Sequence, residues 1–217
     1  MADPVTIWTL DWVPETPRGF VRDLRLRWAC EEAGLPYRIA TVPFDDRETN
    51  HLDRQPFGQV PMLEDGDLHL FESGACVIHL ARKGGILIPA DPKGEIKVLQ
   101  WIMAALNSIE MVTMPWVVLT WSDEEFAGIT GWLDKRLAQI EAVLAGREWL
   151  VGDTFTAADL IMADVLRVDL VRKHGDRPAS EAYVRRVTDR PAFRKAHADQ
   201  LAHFAVADAN REEKSDG

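Results

Sequence analysis

Cysteine is scarce: Cys30 and Cys76 are the only two in 217 residues, and they form no CxxC pair. That spacing excludes a disulfide framework and a cysteine-based zinc site. Both thiols lie in apolar helical patterns and read as core residues. Basic charge is also short, with 25 Lys and Arg against 35 Asp and Glu, a formal net charge of -10. Such a field repels polyanions, which excludes nucleic acid and an anionic membrane surface and leaves a small molecule or another protein as partner. Long apolar runs are missing as well. The richest, Met111 to Trp121, is interrupted by Pro115 and falls far short of the roughly 20 residues of a membrane span. Met1 to Leu10 has no basic stretch followed by an apolar run, so no secretory signal is expected and the cytoplasm is the expected location. The 47% hydrophobic and 28% charged content is that of a globular chain able to bury one large or two small cores.

Local patterns give an order of elements. Val5 to Leu10 alternates as a strand, and Asp11 to Gly19 is a loop punctuated by Pro14, Pro17 and Gly19. Phe20 to Ala33 has helical spacing at Phe20, Leu24, Trp28 and Ala29, stopped by Gly34 and Pro36. Tyr37 to Phe44 reads as a second strand, and Asp45 to Gly58 as a polar connection. Val60 to Leu63 and Leu68 to Phe71 flank Glu64-Asp65-Gly66-Asp67, whose Asp-Gly step supplies the positive dihedrals of a tight hairpin. A helix over Glu72 to Lys83 follows, in which His79 reads as a core residue. The order β-α-β, connection, β-β-α matches a thioredoxin-like sandwich over residues 1–85.

Pro89 to Pro92 reads as a linker, after which strand signals vanish. Helices are predicted over Glu95 to Met114 and over Asp123 to Ala145, the latter with a stripe of Phe126, Ile129, Leu133, Leu137, Ile140 and Leu144. Thr156-Ala-Ala-Asp159 is a capping-box variant that opens an apolar helix to about Arg172. Ala179 to Arg190 and Ala192 to Val206 add two more. The predicted fold is therefore α/β plus all-α: a thioredoxin-like domain, an all-helical domain over 93–207, and a frayed polar tail over 208–217.

The most informative stretch is Gln55-Pro56-Phe57-Gly58-Gln59-Val60-Pro61, followed by Glu72-Ser73-Gly74-Ala75. A cis Pro61 turns the Val60 N–H and C=O outward, where they can pair with an extended peptide. Ser73 at a helix start offers free N–H groups and a positive dipole end to an anion, though serine is favoured at such positions whatever the function. Glu72 can hold an ammonium. With Gly152 to Asp159 (GDxFTxAD) and Arg190-Pro191-Ala192-Phe193, these runs closely resemble the cytosolic glutathione transferase family, of bacterial type. The resemblance spans nearly the whole chain. It implies glutathione as a substrate bound by Val60 and Pro61 at the cysteinyl backbone, by Ser73 and Glu72 at the γ-glutamyl end, and by Gln59 and His51 at the glycyl carboxylate. It also implies a homodimer and no metal.

The same family places a Tyr, Ser or Cys after the first strand to stabilise the glutathione thiolate. Here the only hydroxyls between Met1 and Cys30 are Thr6, Thr9 and Thr16. Thr16 is best placed along the loop, as sulfur donor or as a surface turn residue. Arg18 and Arg22 stand at a helix N-terminus, where cations are disfavoured by roughly 0.3 to 1 kcal/mol. They answer either a nearby thiolate or the carboxylates of Asp11, Glu15 and Asp23. Met111, Met114 and Trp116 wall a hydrophobic electrophile pocket in the resemblance; core or dimer packing is the other reading. The expected function is conjugation of the glutathione thiolate to a small hydrophobic electrophile, or peroxidase chemistry. The alternative is a glutathione transferase-like binding or regulatory module without turnover.

Overall fold

The computed structural model describes residues 3–45, 49, 51–121 and 127–215. Its first compact unit comprises Met1–Gly84 together with Pro191–Gly217, and its second Gly85–Arg190.

In the first unit β1 (Val5–Leu10) runs parallel to β2 (Tyr37–Val42), with Val5 opposite Tyr37 and Leu10 opposite Val42. The crossover between them is α1 (Asp23–Ala33), closed by Gly34 at φ 62, which returns its N–H to the carbonyls of Cys30 and Glu31. The helix starts three residues later than the sequence pattern suggests, because Arg18 N–H bonds Glu15 and Phe20 N–H bonds Pro17 in successive turns. β3 (Met62–Asp65) and β4 (Leu68–Phe71) form the expected hairpin about Gly66, and β3 pairs antiparallel with β1, Met62 opposite Trp8. The sheet order is β2-β1-β3-β4, and α2 (Ser73–Gly84) packs on α1. Ile7, Leu24, Leu26, Trp28, Leu63, Val77 and Leu80 are fully buried. Each such side chain contributes roughly 1.5 to 3 kcal/mol.

Cys30 and Cys76 lie in this core, and burial pushes both thiols up to about 12. His79 does not join them. It is half-buried, and its Nε2 pairs with Asp65 Oδ2 at 2.8 Å beside Lys83.

The second unit is helical. α3 (Pro92–Ala104) is capped by Asp91, whose side chain accepts from Gly94 N–H at 2.8 Å. A π-helical turn (Ala105–Glu110) leads into α4 (Met111–Trp121). Pro115 does not break this run: the buried Val112 and Val117 on either side hold it across the one backbone bond a proline removes. Pro92–Trp121 is long and apolar enough to cross a membrane by length and composition. A third of its most apolar stretch is buried. Along the run Val98, Ile102, Ala105, Ile109, Val112 and Val117 are buried, while Ile96, Met103, Met111, Val118 and Trp121 are exposed.

α5 (Ala127–Leu144) buries Leu133, Leu137, Ile140 and Leu144 as the stripe requires, with Ile129 half-buried; Phe126 and the predicted start at Asp123 lie outside the described residues. α6 (Ala157–Leu166) is the central helix, buried at every position. It stops six residues short of Arg172, and a separate α7 (Asp169–Lys173) and then α8 (Pro178–Thr188) follow. The Asp159 carboxylate accepts from Thr156 N–H, Leu150 N–H and the Tyr183 hydroxyl at 2.8 to 2.9 Å. It therefore ties three segments together besides capping α6.

The last helix, α9 (Pro191–Ser215), continues past Val206 through the stretch that reads as a polar tail, and it belongs with the first unit. Phe193 stands edge-on to Trp28 at 4.9 Å. Phe204 joins Leu10, Val13, Val42 and Met62 in one apolar cluster.

Candidate active site

The peptide bond between Val60 and Pro61 is cis. Pro61 is buried, while Val60 is half-buried and lies just beyond the β1–β3 ladder, which begins at Met62. Gln59 is exposed. The turn before it is built on Gln55, whose buried amide oxygen accepts from Phe57 N–H and whose carbonyl accepts from Gly58 N–H at 3.0 Å. His51 is only 2% exposed, and its Nε2 lies 3.3 Å from the Gln59 carbonyl. That contact fixes the backbone on which the Gln59 side chain stands.

Just after the hairpin, Glu72 occupies left-handed backbone at φ 68. This conformation costs a non-glycine residue roughly 1 to 2 kcal/mol, and such strain gathers at ligand sites. Here it lets the Glu72 carbonyl accept from Cys76 N–H at 3.0 Å while its exposed side chain stands outside α2. Ser73 is the first residue of α2 and is 6% exposed. The first N–H groups of a helix have no intrahelical acceptor, so Ser73, Gly74 and Ala75 present donors at the positive dipole end.

A residue without a site role in the sequence pattern joins Ser73. Arg25 of α1 is 2% exposed, and its Nη1 donates to Ser73 Oγ at 3.0 Å. The hydroxyl oxygen thereby accepts a bond from Arg25 and keeps its own hydrogen to donate to a further acceptor. A guanidinium and a helix N-terminus converge on one point, the arrangement a carboxylate ligand calls for. The signal was in α1 itself, where Asp23, Arg25 and Arg27 stand among Leu24, Leu26 and Trp28. Charged residues in a stretch buried from Asp23 to Cys30 must each have a partner. Asp23 accepts from Arg27 Nε at 2.7 Å and Gln200 Nε2 at 2.5 Å, and its burial raises its pKa against those bonds.

The loop Asp11 to Arg22 carries the remaining expected residues. Thr16 is exposed; Thr6 Oγ1 accepts from Arg38, and Thr9 is wholly buried in β1. Thr16 is thus the accessible hydroxyl of the three. Arg18 donates from Nε and Nη2 to the Val13 carbonyl at 3.2 and 2.9 Å, and from Nη1 and Nη2 to the two Asp208 oxygens at 2.5 and 2.7 Å. Arg22 stands immediately before α1, its carbonyl accepting from Arg25 N–H at 3.1 Å. Gly19 is buried at φ 79, where a Cβ would come 2.6 Å from His197 Nε2, so both the dihedral and the close approach require glycine.

In the second unit Met111 is exposed, Met114 half-buried, and Trp116 stands edge-on to His174 at 4.9 Å, whose Nε2 meets Asp134 Oδ1 at 2.6 Å. Among the described residues no group of three His, Cys, Asp or Glu is placed to hold a metal.

Residues 17–82 match the glutathione S-transferase N-terminal domain, and residues 123–191 match the C-terminal domain of the same family. A glutathione S-transferase of Hyoscyamus muticus is 32% identical over 193 residues, 80% of this chain and 91% of that protein. The chain belongs to the glutathione S-transferase family. Glutathione S-transferase 1 of Zea mays is 36% identical over 150 residues, 63% of this chain and 70% of its own. Among solved structures, a glutathione transferase of Burkholderia graminis with two glutathione molecules per subunit superposes with a TM-score of 0.74 at 25% identity. It covers 89% of this chain and 87% of its own. A glutathione S-transferase-I bound to lactoylglutathione gives 0.72 at 28% identity over 90% and 99%. In this family member the thioredoxin-like unit carries the whole Gln59 to Ser73 edge, so the candidate site lies within one compact unit.

Proposed function

We propose that the enzyme binds glutathione along the edge from Gln59 to Ser73 and transfers its thiolate to a small hydrophobic electrophile. The observation that carries this reading is the buried Arg25 on Ser73 at the open N-terminus of α2, beside the strained Glu72. The γ-glutamyl carboxylate takes the Ser73 hydroxyl hydrogen and the helix N–H groups, and Glu72 takes the ammonium. Val60 pairs with the cysteinyl backbone, Pro61 fixes its direction, and Gln59, set by His51, reaches the glycyl carboxylate. The sulfur then lies at the loop, where the Thr16 hydroxyl donates to it and Arg22 adds positive charge, while Arg18 holds the loop. A hydrogen bond and a cation both lower the thiol pKa and raise the thiolate fraction at neutral pH. With a chloro-nitroaromatic, the sulfur lone pair forms the C–S bond and chloride leaves with the C–Cl pair. Met111, Met114 and Trp116, all in the second unit, are the residues we assign to an apolar electrophile pocket. A homodimer and a cytoplasmic setting belong to the same proposal.

A second reading, binding without turnover, draws on the lack of any Tyr, Ser or Cys in residues 1–29 of the sequence. Calorimetry with glutathione, followed by a panel of chloro-nitroaromatics, enones and hydroperoxides, separates the two. Binding with turnover that falls in Thr16→Ala supports the transferase. Binding with no turnover supports the second reading, and no binding contradicts both.

A further inference from the structure

The polar end of α9 is not a tail but a grip on the loop between β1 and α1. Asp208 accepts from Trp12 Nε1 at 2.8 Å and from both terminal nitrogens of Arg18, which in turn holds the Val13 carbonyl. Arg211 stacks over the Trp12 ring at 4.3 Å, with Phe44 edge-on to that ring at 5.3 Å. The two ends of the loop are gripped by the same helix: His203 Nε2 lies 3.1 Å from the Leu10 carbonyl, and Gln200 Nε2 donates to the Val21 carbonyl at 2.9 Å. Phe204 anchors the helix in the apolar cluster beneath. All of these residues belong to one compact unit.

We infer that Asp208 is a positioning residue: from α9 it fixes Trp12 and Arg18, and so sets the loop that presents Thr16 and Arg22 to the glutathione sulfur. A twelve-residue loop with Pro14, Pro17 and Gly19 has little secondary structure of its own, and each residue held in one conformation costs roughly 1 to 2 kcal/mol of backbone entropy. Bidentate, charge-assisted bonds are the contacts able to offset that. The bonds of Asp208 go to Trp12 and Arg18 and not to Val60 or Ser73, although Val60 packs against the apolar cluster around Phe204. Disturbing Asp208 therefore acts on the thiolate and spares tripeptide binding. The catalytic half of this inference rests on the proposed function above.

The test compares Asp208→Asn, which keeps the size and loses the charge, with Asp208→Glu, which restores the charge. In Asp208→Asn, hydrogen exchange of the amides of residues 11–22 quickens while that of α2 does not. The ultraviolet thiolate absorbance of bound glutathione drops, kcat falls about tenfold, and the KM for glutathione stays put; Asp208→Glu recovers most of both. Unchanged loop exchange, or a rise in KM in place of the fall in kcat, overturns the inference. If the unaltered protein binds no glutathione, the functional reading fails, and loop exchange alone still decides whether Asp208 orders the loop.

Discussion

Arg25 and Ser73 lie 48 positions apart, and the buried guanidinium of one donates to the hydroxyl of the other at 3.0 Å. The bond joins α1 to the first turn of α2 and orients the hydroxyl that faces the proposed γ-glutamyl carboxylate. Arg25→Lys keeps the charge but loses the planar fork. A bond to a charged group contributes roughly 1.5 to 3 kcal/mol, so the glutathione Kd rises by about tenfold or more. Titration calorimetry on the two proteins checks this, and an unchanged Kd removes Arg25 from the site.

Glu72 sets stability against function. Glycine has no penalty at the φ of 68 found there, so Glu72→Gly raises the unfolding free energy by about 1 kcal/mol. It also deletes the carboxylate proposed to hold the ligand's ammonium, and glutathione affinity falls. Urea unfolding and calorimetry together give the answer; a variant that is less stable or binds as well contradicts the role.

Glu141 of α5 accepts from Ala179 N–H and Ser180 N–H, both at 2.8 Å, and from Ser180 Oγ at 2.6 Å. It therefore caps the start of α8 from another helix. Burial pushes its pKa up, but the Ser180 hydroxyl and the two N–H groups pull harder, and the net shift is downward. A carboxyl depressed by folding stabilises above its unfolded pKa, and that contribution disappears as pH falls through the folded value. Glu141→Gln costs roughly 1 kcal/mol at neutral pH, and the gap from the unaltered protein closes on acidification. Urea titrations at several pH values measure it. A gap independent of pH refutes the charged cap.

Cys30 and Cys76 are buried, with thiols pushed up to about 12, and only thiolates react readily. Iodoacetamide at neutral pH leaves the native protein unmodified by mass spectrometry and labels both residues after urea unfolding. Labelling of the folded protein at either position contradicts that burial.

The hairpin was legible because Asp65-Gly66 forces its turn, and the end of α1 because Gly34 admits left-handed backbone. Arg25 was legible only in part: its place between Leu24 and Leu26 called for a partner, but nothing local pointed to Ser73, 48 positions away. The extent of α9 failed for a related reason. Residues beyond Val206 are polar and read as fraying, yet Asp208 is held by Arg18, 190 positions away, a contact without local periodicity. Pro115 misled in the opposite direction, a strong local breaker overridden by burial on both sides. The edge proposed to hold the peptide draws on residues within two short runs of sequence, whereas the loop from Asp11 to Arg22 is tied down by a helix from the far end of the chain.

The most direct test of the central claim is titration calorimetry of glutathione against the unaltered protein and the Glu72→Ala/Ser73→Ala pair variant. Saturable binding to the unaltered protein is expected, with affinity lost in the variant while its circular dichroism is retained. Absent binding, or equal affinity in the two proteins, would contradict the claim.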